Sequence, residues 1–209
     1  MKEIEIPLSP ILSPQQNAAK YFKQYNKAKT AEIYLTEQMA IACRERDWLE
    51  SVLDELTRAA IWYACDGEIT HSTLGGIKAV RECRNISLTD CEIVSQEFGW
   101  KSSNITLRDC YLEAEYVFLD SRDVTLENVQ MKGKYSFQYM ENLTIRDSYL
   151  DTKDAFWHSK NVTVYDSVVK GEYLAWFSEG LTLVNCHIIG TQPLCYCRDL
   201  KLVNCTMEG

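Results

Sequence analysis

From residue 85 onward, short bursts of alternating apolar and polar residues return every nineteen residues. Asn85-Ile-Ser-Leu, Asn104-Ile-Thr-Leu, Asp123-Val-Thr-Leu, Asn142-Leu-Thr-Ile, Asn161-Val-Thr-Val, Gly180-Leu-Thr-Leu and Asp199-Leu-Lys-Leu each begin nineteen residues after the one before. Asp66 stands one period earlier, and Ala60-Ile-Trp-Tyr-Ala-Cys reads as the tail of a preceding coil. With the leading Asn, Asp or Gly as position 0, positions 1 and 3 are Ile, Leu or Val in every unit from Asn85 onward, the period of a strand. Position 5 is Asp or Asn, short side chains that bond local backbone and tolerate turn geometry. Position 6 is small, position 8 is aliphatic or Met, and position 10, with Gly133, Gly171 and Gly190, reads as a second turn. A unit this short cannot bury its apolar face alone, but stacked units share one continuous core. The pattern predicts a mainly β chain, a right-handed single-stranded parallel β-helix over residues 58–209 with two or three short strands per coil. Coils stacked at roughly 4.8 Å make a rod of roughly 35 Å.

A different period precedes the repeat. Ser13-Pro-Gln-Gln16 has the form of a helix start, with Ser as N-cap, Pro in the first turn and Gln reaching back as in a capping box. No Pro or Gly follows Pro14 until Gly67. Tyr21, Tyr25, Ala28, Glu32, Leu35, Met39, Ala42, Arg46, Leu49, Leu53, Leu56 and Ala60 follow one another at alternating four- and three-residue steps, and only Glu32 and Arg46 among them are not apolar. Residues 1–57 are therefore expected to be one long helix, read either as a coiled-coil seam or as an amphipathic helix lying on a core. At 1.5 Å per residue a helix from Pro14 to Arg58 spans roughly 67 Å, about twice the rod. This favours self-association through Tyr21, Tyr25, Leu35, Met39, Leu49, Leu53 and Leu56, as a symmetric homodimer of undetermined helix orientation.

Stacked coils make outward residues of equal position neighbours, and the charges respect that. Position 9 runs Glu113, Lys132, Asp151, Lys170; position 4 runs Arg108, Glu127, Arg146; position 18 runs Arg122, Glu141, Lys160, Glu179, Arg198. Alternating signs fix register and face. The formal charge of −8 disfavours nonspecific binding to nucleic acid or anionic membrane. No apolar run is long enough to span a bilayer, and Met1-Lys-Glu-Ile-Glu lacks the apolar core of a signal peptide, so a cytoplasmic location is expected. Four of the nine cysteines, Cys91, Cys110, Cys186 and Cys205, share position 6 and read as small core residues. The Asn-x-Ser/Thr sequons at Asn85, Asn104, Asn142, Asn161 and Asn204 are by-products of the repeat.

Candidate chemistry is sparse. Polysaccharide-cleaving β-helices cluster carboxylates on one outer sheet, and inverting hydrolysis needs two of them about 6.5–9.5 Å apart. Here most outer acids match a basic neighbour, and Asp120 and Asp154 do not stack into a cluster. His71, His158 and His187 fall at positions 5, 16 and 7, and Cys195-x-Cys197 lacks a second pair at zinc spacing, so no metal or cofactor is expected. Positions 12–16 carry most of the aromatics and read as a third strand. With position 14 (Phe118, Phe137, Phe156) inward, position 15 turns Trp100, Trp157 and Trp176 outward as a row that could stack on sugars or bind a partner. The competing reading makes these aromatics core or covers them with other chain.

The pattern N-[ILV]-T-[ILV]-x-[DN]-[CS], with Lys153-Asp-Ala-Phe-Trp-His-Ser, Asn161-Val-Thr-Val-Tyr-Asp-Ser and Gly171-Glu-Tyr-Leu-Ala-Trp-Phe-Ser, resembles a family of bacterial pectin-lyase-like β-helix proteins, domain of unknown function family 3737. The resemblance implies the fold and no established activity, and implies further coils before Arg58 and a tail after Gly209. The run from Ile6-Pro-Leu-Ser-Pro to Ala31, and Leu49-Glu-Ser-Val-Leu-Asp-Glu-Leu56, resemble the middle coiled coil of NFACT proteins, which act in ribosome quality control, some of them labelled fibronectin-binding. None of that family's functional residues falls within the match. The chain thus reads as a composite joined between about Glu55 and Ala60. It is expected to be a noncatalytic structural or interaction protein, with a carbohydrate-binding or carbohydrate-active β-helix as the alternative and ribosome association by the helix as a weaker third.

Overall fold

The computed structural model describes the backbone of residues 6–209 and the side chains of residues 6–49 and 60–209. The chain divides into two units, residues 1–53 and 54–209.

Helix α1 runs from Pro14 to Arg58, and its residues up to Leu53 belong to the first unit. Its start is the reciprocal cap the sequence predicts. Gln16 N donates to Ser13 Oγ at 3.2 Å, and Ser13 N donates to Gln16 Oε1 at 2.9 Å. The segment before it folds back on the first turns through Asn17, a buried polar residue. Asn17 Oδ1 accepts from Ser9 N, and its Nδ2 faces the carbonyls of Ser9, Leu12 and Ser13. Both ends of that amide are bonded, which is why it can be buried without penalty.

The second unit is a parallel β-solenoid of about eight turns with coils of about nineteen residues. One sheet holds β1 (Ala59–Trp62), β3 (Thr73–Arg81), β5 (Glu92–Phe98), β7 (Tyr111–Val117), β9 (Gln130–Lys134), β11 (Tyr149–Lys153), β13 (Val168–Lys170), β15 (His187–Ile189) and β17 (Thr206–Glu208), stacked in that order. The other holds β2 (Cys65–Thr70), β4 (Arg84–Thr89), β6 (Ser103–Arg108), β8 (Arg122–Glu127), β10 (Glu141–Arg146), β12 (Lys160–Tyr165), β14 (Glu179–Val184) and β16 (Lys201–Val203). Register follows the repeat: Ile105 pairs with Ile86 and Val124, and Leu107 with Leu88 and Leu126. Positions 1, 3, 6 and 8 point inward, so Ile105, Leu107, Cys110 and Leu112 are all buried in one core. Burial in every internal coil, from Ile86 to Ile188, is what turns a weak unit into a stable stack, and only at the end of the stack are the same positions, Leu200, Leu202 and Met207, exposed.

Position 0 and position 5 are the corners. Asn85, Asn104, Asp123, Asn142 and Asn161 at position 0, and Asp90, Asp109, Asn128 and Asp147 at position 5, all hold positive φ between 48° and 58°. Asn and Asp adopt this left-handed region at lower cost than other side chains. Position 10 becomes a corner from Gly171, where a Cβ would lie 1.4 Å from Thr152 O, so the backbone passes too close for any side chain.

The third strand expected at positions 12–16 is absent from residue 135 onward. Those residues form turns in which positions 12, 14 and 16 take left-handed φ: Tyr135, Phe137 and Tyr139, then Asp154, Phe156 and His158, then Tyr173, Ala175 and Phe177. Alternate N–H groups bond the coil above and the coil below, as in Tyr135 N to Lys153 O and Phe137 N to Val117 O. The strands of the first sheet shorten accordingly, from nine residues in β3 to three in β13. Strict alternation fails here: positions 13 and 14 both face inward, as Ser136 and Phe137 do.

Candidate interaction surfaces

The turn geometry decides what the aromatic row can do. Position 14 is inward as expected, with Phe118, Phe137 and Phe156 buried and in ring contact from coil to coil. Position 15 is not the exposed row the strand phase predicts. Trp100, Trp157 and Trp176 are each half-buried. Trp157 and Trp176 lie parallel with centroids 5.6 Å apart, so each covers a face of the other. Their indole N–H groups are used inside the fold: Trp157 Nε1 donates to Tyr173 O at 2.6 Å, and Trp176 Nε1 to Gln192 O at 2.9 Å. Gln138, at the same position, donates to Asp154 O at 3.1 Å. Position 15 is a clasp that satisfies the position-12 carbonyl of the next coil. Trp100 sits at the margin of this pattern, with Arg81 over its ring and its Nε1 buried without a partner.

The exposed rings belong to position 16, one residue on. Tyr139, His158, Phe177 and Tyr196 form a column of parallel rings at centroid spacings of 5.2, 5.2 and 4.9 Å. Sequence reasoning missed it because His158 was weighed as an isolated histidine and the phase was taken from strands. The nineteen-residue spacing of these four residues was the available signal. The rings stack on one another, so both faces of His158 and Phe177 are covered, while Tyr139 and Tyr196 end the column with one stacked face each.

The charge ladders form as pairs. At position 9, Lys132 Nζ lies 3.0 Å from Glu113 and Lys170 Nζ 2.9 Å from Asp151; at position 4, Arg108 lies 3.0 Å from Glu127. Position 18 is looser, with Lys160 4.0 Å from Glu141. Arg146 lies over the ring of Tyr165. An unforeseen ladder at position 11 joins Lys134 to Glu115 and Lys153 to Glu172. These contacts set the titration of the outer face. Glu113 is held below the usual carboxylate range by the Tyr111 hydroxyl and then by Lys132, while Tyr111, donating to that carboxylate, is pushed up. Lys132, Lys153 and Lys170 are raised by hydrogen bonds to Glu113, Glu172 and Asp151.

One corner gathers acids. His71, Asp90 and Asp109 stack at position 5 beside Glu92, Tyr111 and Glu113 in an open groove. His71 Nδ1 lies 2.6 Å from Asp90 Oδ2, and Asp109 Oδ1 accepts from Asn128 Nδ2. These side chains are bonded along the ladder. The cysteines at position 6 are thiols packed in the core, with Cys110 and Cys186 pushed up by burial.

On the helix, the seam predicted for association is open to solvent where its side chains are described. Tyr25, Leu35, Met39 and Leu49 are 60%, 59%, 67% and 58% exposed. Tyr21 differs: it is half-buried and donates its hydroxyl to Pro7 O, so it belongs to the folded-back start of the unit. The side chains of Leu53 and Leu56 lie outside the described residues. Ile33, Ile41 and Trp48, also exposed, lie across the helix from the seam, an apolar stripe the seam analysis left out. Among the described residues no helix is long and apolar enough to cross a membrane.

The family described as "Protein of unknown function (DUF3737)" matches residues 40–209, and that described as "NFACT N-terminal and middle domains" matches residues 1–67. The Rqc2 homolog RqcH of Bacillus subtilis (strain 168) is 35% identical over 57 residues, which are 27% of this chain and 10% of that protein. The chain thus spans about a tenth of the length of that curated relative. Two trypsin-treated variants of QnrB1, a plasmid-mediated fluoroquinolone resistance protein, align over 66% of this chain at 9% identity. The alignments cover 91% and 90% of those chains, with TM-scores of 0.29 and 0.24. At these TM-scores the likeness says nothing about function.

Proposed function

The chain belongs to the DUF3737 family, and from that premise we propose that it is a noncatalytic structural or interaction protein: a β-solenoid carrying a helical self-association element. The observation that carries the reading is the open seam of α1. Four large apolar side chains, Tyr25, Leu35, Met39 and Leu49, stand more than half exposed along one line of the helix. Apolar surface of this extent in water favours a partner, and another copy of the helix supplies one at no further genetic cost. The outer face of the solenoid supports the same reading, since its charges are engaged between coils as structural pairs. The core thiols suit the cytoplasm, where they stay reduced.

Light scattering on the full chain tests this. We expect a dimer, and we expect Leu35→Glu with Met39→Glu to convert it to a folded monomer. A monomeric parent chain overturns the reading.

Carbohydrate recognition is the second reading, and the ring column of Tyr139, His158, Phe177 and Tyr196 is what favours it. It is the weaker of the two, because sugar stacking uses ring faces and in this column all but the end faces of Tyr139 and Tyr196 are turned to one another. A carbohydrate-binding chain would show saturable affinity for an oligosaccharide panel, lost in Phe177→Ala.

A further inference from the structure

The seam contains two charged residues, Glu32 and Arg46, and they restrict how two helices can meet. They lie fourteen residues apart on one line, roughly 21 Å along the axis, too far to pair within one helix. Between two parallel copies in register, every seam residue meets its own counterpart. Glu32 would then face Glu32 and Arg46 would face Arg46, two like-charge contacts inside an apolar seam, which are strongly disfavoured.

We propose that α1 docks on α1 of a second copy in the antiparallel sense, about a two-fold axis near residues 40 and 41, so that Glu32 of each chain lies beside Arg46 of the other. The proposal rests on the self-association reading above and adds the orientation and register. About that axis Met39 of one chain falls level with Ala42 of the other, a large residue against a small one. Leu35 falls level with Arg46, whose methylene stem can lie along it while the guanidinium reaches toward Glu32 about one turn away. The symmetry makes the pair twice. Arg46 already holds Asp47, with Nη2 2.6 Å from Asp47 Oδ1. Leu35, Met39 and Leu49 are exposed and positioned to close over these charges on either side.

The test is a charge swap in the full chain, read as the dimer dissociation constant by sedimentation at low salt. Glu32→Arg alone and Arg46→Glu alone each place like charges together across the antiparallel seam, and each is expected to weaken the dimer at least about tenfold. The double variant restores opposite charges with the signs exchanged and is expected to return to within about threefold of the parent. Glu37→Arg, the same charge change off the seam, is expected to leave the constant unchanged, and circular dichroism confirms that helix content is kept. If the parent dimerises but the single variants match it, or the double variant fails to recover, the antiparallel pairing is wrong while self-association stands. If the parent is monomeric, the reading beneath the proposal fails with it.

Discussion

Asn104 donates its side-chain amide to the Oδ1 of Asn85, 2.8 Å away and one coil earlier. Asn85 does the same to Asp66 at 2.6 Å, and the rungs continue from Asn142 to Asp123 and from Asn161 to Asn142. All of these residues hold left-handed backbone, so one residue type both turns the corner and ties it to its neighbours. Gly180 turns the same corner without a side chain at φ 70°. The two contributions are separable. Asn104→Gly removes the rung but keeps the turn, and should cost about 1 kcal/mol or less. Asn104→Ala loses the rung and keeps a Cβ in the left-handed region without the polar side chain that eases it there, and should cost about 1–2 kcal/mol more than the glycine variant. Urea melts of the two variants check this; equal losses would mean that the corner carries no backbone strain.

Leu107 is fully buried between Leu88 and Leu126. Leu107→Asp places an unpaired carboxylate in the stack, a cost of several kcal/mol against a typical stability of about 5–15. We expect loss of a cooperative thermal transition. Leu107→Ala, which leaves only a cavity, should remain folded with about 2–5 kcal/mol lost. Parent-like melting of the Asp variant would contradict the register.

Much of this fold could be read from the chain because each coil repeats one demand. Ile105, Leu107, Cys110 and Leu112 had to face inward together, since no other phase stacks all seven units, and the cap of Ser13 and Gln16 is local chemistry that no distant residue changes. The tryptophan row departs from the outward strand phase, toward the competing reading in which these rings are covered, for a physical reason. Alternation between faces belongs to extended backbone, and Phe137, Phe156 and Ala175 are left-handed. Two successive residues then turn inward, Trp157 drops into a half-buried clasp, and His158 joins the exposed rings. Asp120, Asp154, His158 and Gly99 are types that tolerate left-handed backbone, but the aromatics beside them at positions 12, 14 and 16 seldom adopt it, so the pattern as a whole does not announce it.

Lys132 sits between Glu113 and Asp151 in the position-9 column. Lys132→Glu puts three carboxylates in line. A small loss of stability is expected, larger at low salt and shrinking as salt rises, because the pair is exposed and screened. The pH dependence has a definite sign. Glu113 is lowered in the folded state, so its contribution is present above the ordinary carboxylate range and fades as pH falls through its depressed value. Lys132 is raised, so its contribution is present at neutral pH and fades only as pH climbs through its elevated value. Melting curves from pH 3 to 7 should therefore show parent and variant converging toward acid. A neutral substitution at low salt and pH 7 would count against the ladder.

Asp154 is buried at position 12, where desolvation pushes its carboxyl above the usual range. A raised acid opposes folding once the pH exceeds its unfolded value, and the penalty disappears in acid. Asn accepts the same left-handed φ of 52°. Asp154→Asn should thus stabilise the protein at pH 7, with the gain vanishing near pH 3. Differential scanning calorimetry at the two pH values checks both halves, and a destabilised variant at pH 7 would mean that Lys153 compensates the carboxylate more than burial harms it.

The clasp at position 15 makes the last prediction, because the chain supplies its own control. Trp157 contributes a hydrogen bond to Tyr173 O and a stacking face to Trp176. Trp157→Phe keeps an aromatic face and removes the donor, leaving a half-buried carbonyl unpaired at a cost of about 1–3 kcal/mol. Trp157→Gln does the reverse, since Gln138 makes the equivalent bond to Asp154 O in the preceding coil; it should lose the stacking contribution, about 0.5–1.5 kcal/mol, along with buried aromatic area. If the row is a clasp, both variants are less stable than the parent, the double loss in Trp157→Ala exceeds either, and none changes the response of tryptophan fluorescence to an oligosaccharide panel. A saturable oligosaccharide affinity, measured by calorimetry, that the parent and Trp157→Phe share and Trp157→Gln lacks would instead make the ring itself a sugar-binding face, and the structural account of position 15 would have to yield to it.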